Sequence, residues 1–186
     1  MPSEALDEMI IVVAVVIIGL VIFGFSVSYL IPQIAFTNAQ NQASNIAQSS
    51  TISVGPLLIS NNTGSAVLIF YNPSVTGNIT IIAFQEPSYL QSSIGLLTPP
   101  NNPSFQVYLP NSKLASKVLI STPIYDTSGK TLYNSQIIAY SVPFNTAVTI
   151  KINNIQQNNI LVIWILYNAG GYWFRVGFTF TAVPGS

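Results

Sequence analysis

From Ile10 to Ile31 the chain carries no charged residue, and Ile, Val and Leu make up most of that run. About 20 apolar residues in a helix cross the hydrocarbon core of a bilayer. The run therefore predicts one membrane-spanning helix and a single domain tethered to it. It is longer than the apolar stretch of a secretory signal, no basic segment precedes it, and no small-residue cleavage site closes it, so the helix is expected to be retained. Gly19 and Gly24 are too far apart in sequence to form a GxxxG seam. Pro32 is expected to end or kink the span. Beyond it, Ala39, Ala43, Ile46 and Ala47 recur at helical spacing, which predicts a stalk to about Gln48.

Three acids, Glu4, Asp7 and Glu8, stand directly before the run, and no Lys or Arg occurs before Lys113. Negative charge is favoured at a helix start. These acids are read either as solvated caps at the membrane surface or as a contact with a basic groove on a membrane partner. The charge bias that sets orientation is missing. The C-terminal domain is placed outside the cell on other grounds, its scarcity of charge and two glycosylation sequons, Asn61-Asn62-Thr63 and Asn78-Ile79-Thr80. Asn61 and Asn78 are the candidate glycan acceptors. The resulting division is a short acidic tail (1–8), a membrane helix continuing as a stalk (9–49) and an extracytoplasmic domain (50–186).

From Thr51 the apolar period changes to two. Strands are expected at 52–59, 65–71, 78–84, 104–109, 116–124, 131–142, 147–152, 159–167 and 172–182, separated by turns such as SNNTGS, NPSVTGN, DTSGK, NNIQQNN and NAGG. That many short strands at such spacing predict a mainly β fold, an immunoglobulin-like β-sandwich.

Composition narrows the function. Charged residues are 5% of the chain, against about 25% in an ordinary soluble domain. A surface with so few titrating groups changes little with salt or pH, which suits an acidic or saline medium outside the cell. Net charge is zero, so nothing points to nucleic acid. The chain has neither His nor Cys, so the usual metal ligands and nucleophilic triads are lacking, and no catalytic, metal or cofactor site is expected. Glu86 and Asp126 have no partner nearby in sequence with which to form a catalytic carboxylate pair. The TSGKT stretch at 127–131 lacks the leading glycine of a phosphate-binding loop, since that position is Ile124, and reads as a hairpin turn.

The last hairpin is the most informative. In YWFRVGFTFTA, alternation puts Tyr172, Phe174, Val176, Phe178 and Phe180 on one face, expected inward, and Trp173, Arg175, Gly177, Thr179 and Thr181 on the other. Its partner, ILVIWILY at 160–167, is apolar on both faces, whereas a sandwich strand normally buries one. Either a loop or the stalk covers the second face, or it docks another subunit. In the docking case Ile160, Val162, Trp164, Leu166, Trp173 and Arg175 are the candidate interface.

A short N-terminal tail, a long apolar helix running into a stalk and a charge-poor outer β-sandwich together resemble the archaeal type IV pilin superfamily. The likeness is architectural over the whole chain and reaches sequence level only over about residues 3–31. Pilin precursors place a basic and then a small residue before their cut, but here Ser3-Glu4-Ala5 precedes Leu6, with Glu4 in the basic position. The stretch SEALDEMIIVVAVVIIG is closer to the archaellum accessory (stator) proteins FlaG and FlaF. The resemblance implies a non-enzymatic, membrane-anchored archaellum component whose β-domain pairs with a related β-sandwich protein, with a second copy, or with the S-layer. A pilin-like adhesive filament subunit is the alternative, and a membrane-anchored surface binding module is a further one.

Overall fold

The computed structural model describes residues 2–184 and divides into two compact units, one ending at Asn38 and one beginning at Ala39. The first unit is helical. Helix α1 (Pro2–Phe25) passes through a π-helical turn at Ser26–Leu30 into α2 (Ile31–Ser49). Pro32 therefore does not end the helix. A proline ring clashes with the carbonyl four residues back and offers no N–H. The wider π turn, in which the Ile31 N–H donates to the Ser26 carbonyl, accommodates that defect just before it. The side chains from Leu6 to Ile34 are exposed around the whole circumference, and no part of the most apolar stretch is buried within the chain.

The second unit begins with the last turns of α2. Ala39, Ala43 and Ile46 are buried at the spacing that defines one helix face. These turns thus belong to the packed domain, where a free stalk was expected.

Twelve strands follow: β1 Thr51–Val54, β2 Leu58–Ser60, β3 Thr63–Tyr71, β4 Asn78–Pro87, β5 Phe105–Tyr108, β6 Ser116–Ile120, β7 Ile124–Tyr125, β8 Thr131–Tyr133, β9 Ile137–Pro143, β10 Val148–Asn153, β11 Asn159–Ala169 and β12 Tyr172–Thr181. Three expected strands are interrupted. Gly55-Pro56 divides the first into β1 and β2, the next stops at Ile120 before Pro123, and Asn134 and Ser135 separate β8 from β9. Proline and turn residues cannot sustain a ladder at those points.

The strands form a β-sandwich. One sheet runs β1-β3-β10-β5, with β2 also on β3, and the other runs β6-β9-β4-β11-β12-β7-β8. In chain order, β1, β3, β4, β5, β10, β11 and β12 reproduce the ABED and CFG pairings of an immunoglobulin constant-type domain. The insertion, β6 to β9, lies between the fourth and fifth of these. Strands β9 and β6 extend the larger sheet beyond β4, and β7 and β8 extend it beyond β12, with β7 parallel to its neighbour.

Leu68, Val107, Ile150, Ile81 and Ile163, all 0% exposed, lie in the core between the sheets. Phe105 of one sheet meets Tyr140 of the other edge to face at 5.2 Å. Asn72, also fully buried, ties the helix end to this core. Its Nδ2 donates to the hydroxyls of Ser49 (2.8 Å) and Ser50 (3.0 Å), its N–H donates to Asn145 Oδ1, and Asn145 Nδ2 returns a bond to the Asn72 carbonyl.

Candidate functional site

The register across β4, β11 and β12 decides what the doubly apolar strand does. Ile160, Val162, Trp164 and Leu166 lie opposite Glu86, Phe84, Ile82 and Thr80. They form the face of the larger sheet that points away from the other sheet. All four are 0% exposed. The 3₁₀-helical segment Ser88–Leu96 packs over this face against β4, β11 and β12. Buried Ile120 and Ile137 pair across β6 and β9 on the same face. The chain covers its own second apolar face, so these four residues form a second core and offer no docking surface. The cover is a loop insertion after the C-like strand, which strand periodicity alone does not reveal.

Trp173 and Arg175, the other two candidate interface residues, are half-buried. The Arg175 guanidinium is stacked between Trp164 (4.8 Å) and Phe178 (4.6 Å), and its Nη2 donates to the Gly95 carbonyl at 3.0 Å. It fastens the covering segment to the sheet. Burial lowers the Arg175 pKa, while the nearby Asp126 carboxylate raises it. Trp164 Nε1 and Arg175 Nη1 are buried without a hydrogen-bond partner.

The expected alternation of the last strand fails. A bulge at Val176 of β12, opposite Ile165 and Leu166, shifts the pairing from Ile165–Gly177 to Leu166–Arg175. A bulge reverses which residues face inward on either side of it. Gly177 then points between the sheets, where a Cβ would meet Ile52 Cδ1 at 2.7 Å, and Thr181 is buried with its hydroxyl donating to the Gly55 carbonyl. Phe178, expected inward, is 41% exposed.

The acids are placed simply. Glu4, Asp7 and Glu8 are exposed on α1. Asp126 opens the β7–β8 turn, where its Oδ1 accepts from the Ser128 and Lys130 N–H groups and the Ser128 hydroxyl. This is the hairpin turn expected for TSGKT. Among the described residues no group of three or more His, Cys, Asp or Glu side chains is gathered. Asn61 and Asn78 are both exposed, in the β2–β3 turn and at the start of β4.

A concavity of about 580 Å³ lies between the β2–β3 turn and the β10–β11 loop. A smaller hollow of about 210 Å³ opens beside β5 and includes Gln106, Lys117 and Tyr140.

No protein-family model and no curated protein matches the chain. A conjugative transposon lipoprotein from Bacteroides eggerthii DSM 20697 is similar in structure over 72% of this chain and 96% of that one, at 10% identity and a TM-score of 0.32. A score that low carries no argument about function.

Proposed function

We propose that this chain is a non-enzymatic, membrane-anchored structural component of the archaellum, with its β-domain outside the membrane and bound to a related β-sandwich protein, a second copy or the S-layer. The supporting observation is the helix from Met9 to Ile31, without a charged residue on any side and exposed along its length. A helix of that kind requires a bilayer or other helices around it. The charge-poor sandwich and the resemblance to the archaellum accessory proteins support the placement. Deleting the gene is expected to abolish swimming while filament subunits are still made, with the protein found in the membrane fraction. Normal swimming in the deletion strain overturns the proposal.

The same all-round apolar surface favours one other reading, a pilin-like adhesive filament subunit whose helix is buried in a filament core. Mass spectrometry of the mature N-terminus separates the two. A start at Leu6, with the chain as the major band of purified filaments, supports the filament subunit, and an uncut or Met-trimmed start supports the anchored component.

A further inference from the structure

The 580 Å³ concavity is built from two turns that the backbone locks together. The Ile155 N–H donates to the Asn62 carbonyl at 3.1 Å, and Gln85 Nε2 donates to the Asn154 carbonyl at 3.3 Å. Ile155 is buried against Gly64, where a Cβ would stand 3.0 Å from its Cγ2. The absent side chain lets the loop close onto β3. The cup is thus fixed in shape, which lowers the entropy cost of binding.

Its polar lining is five primary amides, Asn61, Asn62, Asn154, Gln156 and Gln157, with Ile59 and Ile155 as the apolar part and no charged side chain. None of the five amide groups makes a hydrogen bond within the chain among the described residues. Local backbone geometry accounts for three of them. Asn61, Asn62 and Asn154 have φ of 48°, 62° and 56°, a region that asparagine tolerates better than most residues. It does not account for Gln156 and Gln157, which have no such preference and stand exposed at the rim.

The position of the cup is also informative. Asn72 anchors the end of α2 beside the last residue of β3, whereas the cup lies at the first, Thr63. By the rise per residue these ends are about 25–30 Å apart. Within the β-domain the amide cup is at the pole opposite the helix attachment.

We infer that this cup binds a neutral glycan. An amide both donates and accepts, as a sugar hydroxyl does. Half-buried Ile59 offers an apolar surface to the C–H face of a pyranose, with Ile155 buried beneath the cup as its floor, the absence of charge disfavours acidic sugars, and the volume is within the range of about 300–1,000 Å³ common to small-ligand sites. The sugar comes either from another molecule or from the sequon at Asn61 in the same cup.

The test uses the full-length protein in detergent micelles, made in a bacterial host that adds no N-glycan. It is titrated calorimetrically with neutral oligosaccharides of mannose, glucose and N-acetylglucosamine, and with a glucuronate-bearing oligosaccharide as the acidic control. Saturable binding of a neutral sugar is expected, weakened about tenfold or more in the Gln156→Ala/Gln157→Ala double variant, which removes two amide hydrogen-bonding groups from the rim. The Tm of that variant is expected to be unchanged. Absence of binding by every neutral sugar, preference for the acidic one, or unaltered binding in the double variant overturns the inference. Mass spectrometry of Asn61 in protein from its own cells then assigns the source, a glycan in cis if the binding sugar is attached there and in trans if Asn61 is bare. The site requires only an outward-facing β-domain. Failure to bind sugar leaves the archaellum proposal standing, and normal swimming leaves the cup standing.

Discussion

The guanidinium of Arg175 lies 4.8 Å over the indole ring of Trp164 and donates to the carbonyl of Gly95. This is a cation stacked inside a second apolar core, holding down the segment that makes it a core. Arg175→Ala removes two cation–π contacts and a charge-assisted hydrogen bond, with an expected cost of about 2–3 kcal/mol. Arg175→Met is expected to cost less, because it keeps an apolar stem over the ring and removes the unpartnered Nη1. Chemical denaturation of the full chain in detergent measures both. A red shift of Trp emission in Arg175→Ala reports exposure of Trp164, and an Ala variant as stable as the parent contradicts the clamp.

Asn72 bonds the helix end through its side chain, Nδ2 donating to Ser49 and Ser50, and the Asn145 side chain through its own backbone, while its Oδ1 accepts from the Ser74 N–H. Asn72→Ala keeps the backbone bonds to Asn145, leaves the Ser74 N–H and the Ser49 and Ser50 hydroxyls with one partner fewer, and opens a small void. The expected loss is about 1–3 kcal/mol, from three lost hydrogen bonds and the void, since the seryl hydroxyls keep their bonds to helix carbonyls. Limited proteolysis adds a local readout. Cleavage near Ser49 and Ser50 should appear in Asn72→Ala well before the rest of the domain is cut.

Gly177→Ala tests the bulge. The new Cβ would press on Ile52 Cδ1, the far end of a flexible side chain, so the expected loss is moderate, about 1–2 kcal/mol. Ile52→Val deletes that methyl and should recover part of the loss in the double variant. Additive losses in thermal melts of the four-member cycle would show that Gly177 does not face Ile52.

These contacts mark the limit of what the sequence disclosed. The apolar run, the change of period at Thr51 and the aromatic-rich last hairpin were legible because each is a pattern within one segment. Strand breaks at Pro56 and Asn134 were readable only in part, since a turn signal gives no account of what the ladder does around it. The bulge at Val176 inverted the expected faces of Gly177, Phe178 and Thr181, and a one-residue slip leaves no mark in composition. The burial of Ile160, Val162, Trp164 and Leu166 depends on the segment at 88–96, more than a third of the chain away, which no local period connects to them. The amide cup is further still from view, because SNNTGS and NNIQQNN read as ordinary turns until folding brings them together.

The pH response of the β-domain follows from two carboxyls shifted in opposite directions. Burial raises the pKa of Asp126. Hydrogen bonds from the Ser128 hydroxyl and the Lys130 and Ser128 N–H groups, with the Arg175 charge, outweigh this and hold it below its ordinary 3.8. Glu86 has burial alone acting on it, which holds its pKa above the ordinary 4.5. A depressed carboxyl contributes stability that is complete above its unfolded value and is lost as pH falls through the folded one. A raised carboxyl contributes stability that is complete below its unfolded value and is lost as pH rises through the folded one. On acidification from neutrality, Glu86 first stabilises the fold slightly, and Asp126 then destabilises it. For these two groups the Tm profile should have a shallow maximum between about 3.8 and 4.5. Both side chains are largely solvated, so the amplitude is small. Asp126→Asn keeps the accepting Oδ1 and should flatten the acid limb alone, while Glu86→Gln should flatten the limb above the maximum. Melting curves from pH about 2 to 7 separate the two, and an acid limb that persists in Asp126→Asn assigns the loss to other groups.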